Sequence, residues 1–190
     1  SSLRVVRPVF YSRWGEAAPA PSALMLDDAT LYTGFYRAVT AIVAGGFEGV
    51  TNTWRGTPWY ALPEVDSFEE GGQFEAWAAH SGTRGFALAG WVTNSSSYSL
   101  TIAQNVTPGT GTYTFSIWLL REENFLLTNA ELRIQCFDST FTNRILPDAS
   151  TNLTVPPDNA WHQYVITGEC NNTNVNEVNV SLSAAWLCNY

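Results

Sequence analysis

Between residues 112 and 121 hydrophobic and polar side chains alternate. Tyr113, Phe115, Ile117 and Leu119 fall on one side of an extended chain, and Thr114, Ser116 and Trp118 fall on the other. Shorter runs of strand character recur along the chain, at residues 74–78, 86–92, 98–106, 130–137, 143–146, 153–155, 161–167 and 178–186. Turn formers such as Gly82, Pro108-Gly109 and Asn94 separate them. No stretch keeps a helical period over eleven residues. Many short strands between Gly, Pro and Asn turns predict an all-β sandwich.

The N-terminal part reads differently. Residues 3–14 are strand-like but contain Pro8, which removes a ladder donor and suits an edge or a bulge. Residues 15–22 form a Pro/Ala-rich connector. Residues 25–32 alternate again, with Met25, Asp27, Ala29 and Leu31 predicted on one side and Leu26, Asp28 and Thr30 on the other. A further strand is predicted at 39–43, ending at Gly45-Gly46. This divides the chain into an arm, residues 1–37, and a body, residues 38–190. Residues 51–72 read as a loop, yet they carry Trp54, Trp59, Tyr60 and Phe68, and a loop so rich in aromatics is usually ordered and often functional.

Composition narrows the function. The 190 residues carry a net charge of −8, and all nine basic residues are arginine. No basic patch is visible, which argues against nucleic acid and anionic membranes as partners. No apolar run reaches the length of a membrane span. The chain does not begin with Met and reads as a mature product or a segment of something longer. Five Asn-x-Ser/Thr sequons, at Asn94, Asn105, Asn152, Asn171 and Asn179, are candidate glycosylation sites. The three cysteines, Cys136, Cys170 and Cys188, match no zinc pattern and suggest one disulfide plus one buried thiol. Catalytic chemistry is poorly provided for: there are only His80 and His162, and no nucleophile elbow or phosphate loop. The acidic pairs Glu69-Glu70 and Glu122-Glu123 read as solvated carboxylates rather than a glycosidase dyad. The reading is a protein without enzymatic activity.

Five segments carry a resemblance. GGFEG at 45–49, HSGTRGFAL at 80–88, IAQNVTPGTGTYTFSIWLL at 102–120, AWHQYVITG at 160–168 and LMLDDATLY at 24–32 are similar to motifs of the jelly-roll carbohydrate-binding modules that accompany xylanases and glucanases. The resemblance spans residues 39–188 together with 24–32. It implies a jelly-roll β-sandwich with an extended N-terminal arm. In that family the Asp-Asp strand closes the sandwich after the element corresponding to residues 178–186, whereas here it precedes the opening strand. Three arrangements fit this inverted order. The strand closes its own body, it enters the groove of the next copy, or the chain derives from tandem modules. Head-to-tail strand donation would make copies of itself its partners and would build an extracellular or cell-surface filament. The groups expected to hold the donated strand are Leu24, Met25, Leu26, Ala29, Leu31 and Tyr32. The alternative is a monomeric carbohydrate-binding module.

Sugars present C–H faces that stack on aromatic rings, and their hydroxyls bond to amides and guanidinium groups. Trp54, Trp59, Tyr60, Trp77 and Trp91, with Arg84 and Gln104, are the candidate polysaccharide contacts, whereas Trp118 and Trp161 are expected in the core. The resemblance further implies a structural calcium held by Glu48 with Asp27 or Asp28. In a jelly roll the strand ends at Cys136 and Cys170 would share a pole, so a Cys136–Cys170 bridge is expected, with Cys188 apart.

Overall fold

In the computed structural model of this chain, residues 23–33, 46–47, 59–63, 71–89, 97–106, 111–138, 140, 143–170 and 172–188 are described. Alternation decides which side chains meet. In β6 (Gly111–Arg121) Tyr113, Phe115, Ile117 and Leu119 are buried, while Thr114 and Trp118 are only half-buried. β5 (Ser97–Val106), β7 (Leu126–Phe137) and β10 (Glu177–Leu187) behave alike, turning Leu100 and Ile102, Leu132 and Ile134, and Val180 and Leu182 into the same core. The other strands are β1 (Ala23–Thr33), β2 (Trp59–Leu62), β3 (Gly72–Glu75), β4 (Gly85–Ala89), β8 (Arg144–Asn152) and β9 (Trp161–Cys170). All pairings are antiparallel. One sheet, A, has the order β3-β4-β1-β6-β9, and the other, B, has the order β2-β5-β10-β7-β8. The result is the jelly-roll β-sandwich that the alternation and the motifs predict.

β1 is the central strand of sheet A. It pairs with β4 from Ala23↔Ala89 to Leu26↔Phe86 and with β6 from Leu24↔Arg121 to Thr33↔Tyr113. Of the predicted arm, residues 1–22 and 34–37 lie outside the described residues, as does the strand predicted at 39–43. The predicted alternation within β1 is corrected by a bulge. Its register with β6 shifts between Asp27 and Thr30, and Asp28 has a left-handed φ of 50°. The extra residue reverses the parity. Leu24 and Leu26 face the core before the bulge, and Ala29 and Leu31 face it afterwards. Met25 belongs instead to a small cluster on the outer side of sheet A.

Three other strand expectations change. Trp59–Leu62, read as loop, is β2 and pairs with β5 through Trp59↔Gln104 to Leu62↔Thr101. β3 stops at Glu75, and Ala76–Ala78 form a single 3-10 turn. The two short strands predicted at 143–146 and 153–155 are replaced by one, β8, on the edge of sheet B. Pro147 lies in it, and an edge strand is where a missing N–H is tolerated. Cys136 at the end of β7 and Cys170 at the end of β9 form a disulfide that joins the two sheets, with Cα atoms 6.6 Å apart. Cys188 is a buried thiol outside this bridge.

Candidate functional site

The outer face of sheet A carries a cluster built around the β1 bulge. Asp27 is fully buried, and its carboxylate accepts three backbone hydrogen bonds: from Asp28 N (2.7 Å), His80 N (2.7 Å) and Ser81 N (3.0 Å). Asp28, swung out by its left-handed backbone, accepts a bond from Ser81 Oγ at 2.8 Å and lies 2.7 Å from His80 Nδ1. The two carboxylates thus clamp the turn between β3 and β4 over the sheet. Gly85 lets that turn lie close, since a β-carbon there would come within 1.9 Å of the Ala78 carbonyl oxygen.

Clamping places aromatic rings side by side. The His80 ring stacks on Trp118, with centroids 4.3 Å apart and an interplanar angle of 13°. It meets Trp161 edge-on at 5.2 Å. Trp161 and Leu120 pack against Ala23, Met25, Ala78 and Ala87 in a second apolar cluster, separate from the main core. Trp77, on the clamped turn, is 41% exposed, and Val165 on β9 is 54% exposed. Gln163, opposite Trp118 in the β6–β9 register, is exposed as well. The face therefore offers half-covered indole rings with an amide, a hydroxyl and carboxylates beside them.

Burial acts on Asp27 despite its three donors and raises its carboxyl from the ordinary aspartate range to about 6. The folded state therefore binds this proton more tightly than the unfolded chain does. The resulting stabilisation is complete below about pH 4 and is lost as pH rises through 6. A shift of this size corresponds to at most about 3 kcal/mol. In urea titrations between pH 4 and pH 7, the wild-type protein is expected to lose stability relative to Asp27→Asn. The variant lacks this slope, because its amide does not titrate. Parallel curves for the two proteins would exclude Asp27 as the titrating group.

The outer face of sheet B is polar. Tyr60 Oη donates to Asn105 Oδ1 (3.1 Å), and Asn179 Nδ2 donates to Tyr60 Oη (2.8 Å) and to Asn105 Oδ1 (2.6 Å). Thr101 and Ser183 are hydrogen-bonded at 2.8 Å. On the far side of the sheet, Arg133 Nη2 pairs with Glu131 at 2.5 Å, and Asp148 Oδ2 accepts from Gln135 Nε2 and Arg144 Nε, each at 3.1 Å. Burial pushes the Tyr60 hydroxyl above its ordinary pKa.

The predicted sugar contacts do not form one group. Trp77 and Arg84 lie on the turn over sheet A, and Tyr60 lies on the outer face of sheet B. Trp59 is corrected from a stacking ring to a core residue: it is 1% exposed and packs on Phe47 at 5.1 Å. Gln104 has the inward parity of β5 and is buried too. Trp54 and Trp91 lie outside the described residues. Trp118 and Trp161, expected in the core, are corrected to the outer face of sheet A. Their sequence signal was parity, since Trp118 alternates in phase with Thr114 and Ser116.

Of the strand residues assigned to assembly, Leu24, Leu26, Ala29 and Leu31 face the core, Met25 faces outward, and Tyr32 is described by its backbone alone. Of the sequons, Asn105 and Asn152 are exposed, while Asn179 is 7% exposed with its amide committed to two hydrogen bonds. Asn94 and Asn171 lie outside the described residues. Glu122, one of the acidic pairs, accepts a bond from Ala23 N at 2.8 Å and so fastens the start of β1.

For calcium, all four oxygens of Asp27 and Asp28 already engage protein donors, and Glu48 lies outside the described residues. Among the described residues no three acidic, histidine or cysteine side chains converge.

No family model and no curated protein matches the chain. Among solved structures, that of TmCBM61 in complex with β-1,4-galactotriose is similar, with a TM-score of 0.51 at 14% identity over 80% of this chain and 90% of that one. At this identity the likeness lies in the fold: the chain is a β-sandwich of the kind found in carbohydrate-binding modules.

Proposed function

We propose that this chain is a non-catalytic, extracellular carbohydrate-binding β-sandwich. The observation that carries the reading is the pair of indoles on the outer face of sheet A, Trp118 and Trp161, both packed on His80, with Trp77 exposed on the same turn as His80. Indole rings match the C–H faces of pyranoses, and Gln163, Ser81 and Arg84 supply groups for hydroxyls. A carbohydrate-binding module of similar fold was solved with a galactotriose, which supports a polysaccharide ligand. The inter-sheet disulfide supports an oxidising location. Among the described residues no helix is long and apolar enough to cross a membrane. Affinity electrophoresis in neutral polysaccharides, beginning with β-1,4-galactan, tests the reading. Trp77→Ala/Trp161→Ala is expected to weaken retention at least tenfold while the circular dichroism spectrum stays that of a β-sandwich. Retention unchanged by the double substitution would overturn the assignment to this face.

A second reading concerns assembly: a structural filament or repeat fibre in which β1 is donated from copy to copy. Its support is the position of β1, an N-terminal strand that is central in sheet A and hydrogen-bonded on both sides. The next described strand begins only at Trp59. Such a strand makes the same contacts in its own body or in a neighbour's. Size of the purified protein across a concentration series separates the two outcomes.

A further inference from the structure

The Asn-x-Ser/Thr sequons are left unused by the proposed function, and the fold does not treat them alike. Asn105, Asn152 and Asn179 all lie in sheet B, on the strand parity that points away from the core. Asn152 ends the edge strand β8, and both it and Thr154, the hydroxyl residue of its sequon, are exposed. Asn105 and Asn179 face each other across β5 and β10 and share one hydrogen-bond network with Tyr60, in which they play opposite parts. Asn105 is exposed and takes part through Oδ1, which accepts from Tyr60 Oη at 3.1 Å and from Asn179 Nδ2 at 2.6 Å. Asn179 is 7% exposed and takes part through Nδ2, which donates to Tyr60 Oη at 2.8 Å and to Asn105 Oδ1. An amide nitrogen of this kind carries two hydrogens, so both of those on Asn179 are in use.

We infer that Asn105 and Asn152 carry N-linked glycans and that Asn179 stays unmodified. The donor is an oligosaccharide linked through C1 to a lipid phosphate, and a transferase brings it to the sequon. The amide nitrogen attacks C1, and an N–C1 bond forms as the C1–O bond to phosphate breaks. The lipid phosphate leaves with the electron pair, and one amide proton passes to a base of the transferase. The product keeps its carbonyl oxygen but only one N–H. At Asn105 both bonds to Oδ1 survive this change. At Asn179 one of two bonds is forfeited, and a sugar would have to sit where the residue has almost no accessible surface. Both modified positions open on the outer face of sheet B, across the sandwich from Trp118 and Trp161. Bulky, hydrated glycans would therefore stand on one side and leave the aromatic face uncovered.

The inference goes beyond the proposed function and is tested without any polysaccharide ligand. The full chain is secreted from cells whose transferase reads Asn-x-Ser/Thr, and its glycans are then released enzymatically in heavy-oxygen water. Release converts each occupied Asn to an isotope-labelled Asp, which peptide mapping by mass spectrometry locates. Label is expected at Asn105 and Asn152 and is expected to be absent at Asn179. Each glycan is then assigned by removing the hydroxyl residue of its sequon, which leaves the asparagine amides in place. Thr107→Ala and Thr154→Ala should each lower the intact mass by one glycan. Ser181→Ala, which removes the Asn179 sequon, should leave the glycan mass unchanged. Label at Asn179, or a glycan lost with Ser181→Ala, would overturn the inference. So would a secreted chain that carries no label at Asn105 or none at Asn152.

Discussion

Deleting residues 1–33 is expected to leave a chain that cannot fold alone, and a synthetic peptide spanning Ala23–Thr33 is expected to restore it. β1 carries Leu24, Leu26 and Leu31, all fully buried, into the core. Burial of each contributes about 2 kcal/mol. Their removal therefore costs roughly 6 kcal/mol, against a total stability of about 5–15 kcal/mol for a domain. The hydrogen-bond ladders are lost as well, because β4 and β6 would face each other across an empty strand position with unpaired backbone groups. Urea unfolding and size-exclusion chromatography read the result: aggregation or unfolding of the deleted chain, and a sandwich of native mobility after the peptide is added. A deleted chain that folds cooperatively without the peptide would show that β1 is not integral. The same preparation decides how β1 is used. A full-length chain that stays monomeric at high concentration closes on itself, and ladders that grow with concentration mean exchange between copies.

Much of this was legible in the sequence, and the limits have physical causes. β6 reads correctly because a two-residue period is a direct imprint of one face on the core and one off it. The same imprint placed Trp118 outside, in phase with Thr114 and Ser116, and only the assumption that large rings are buried put it in the core. The β1 bulge was not legible, because the left-handed turn at Asp28 is sustained by His80 and Ser81, more than fifty residues away in the chain. Local alternation cannot report a contact of that range. Trp59 looked like a loop ring because proline and glycine surround it, yet pairing with β5 draws it inward. The polar cluster of Arg133, Glu131, Gln135 and Asp148 was invisible for a simpler reason: polar residues on the outward parity of neighbouring strands look like ordinary surface until strand register shows which of them meet.

Replacing Cys136 and Cys170 together by alanine is expected to lower stability by about 3–4 kcal/mol, the entropy of closing a loop of their separation in the unfolded chain. That separation is 34 residues. For a chain of this length the melting temperature should fall on the order of 10 °C. Topology makes the bridge matter beyond loop entropy. Cys170 ends β9, the edge strand of sheet A, and Cys136 lies opposite Ile145 of β8, the edge strand of sheet B. The bridge is therefore the covalent tie between two sheets that are otherwise held by side-chain packing, at the side where both sheets end. Without it, those edges should open first, and hydrogen exchange should quicken in β8 and β9 before β5 or β10. Cys188→Ser supplies the comparison, since that thiol lies outside the bridge. Its loss should cost only the packing of one small buried side chain and leave the β8 and β9 amides protected. Peptide mapping without reductant that joined Cys170 to Cys188, or a double variant that melted with wild type, would remove the basis for this expectation.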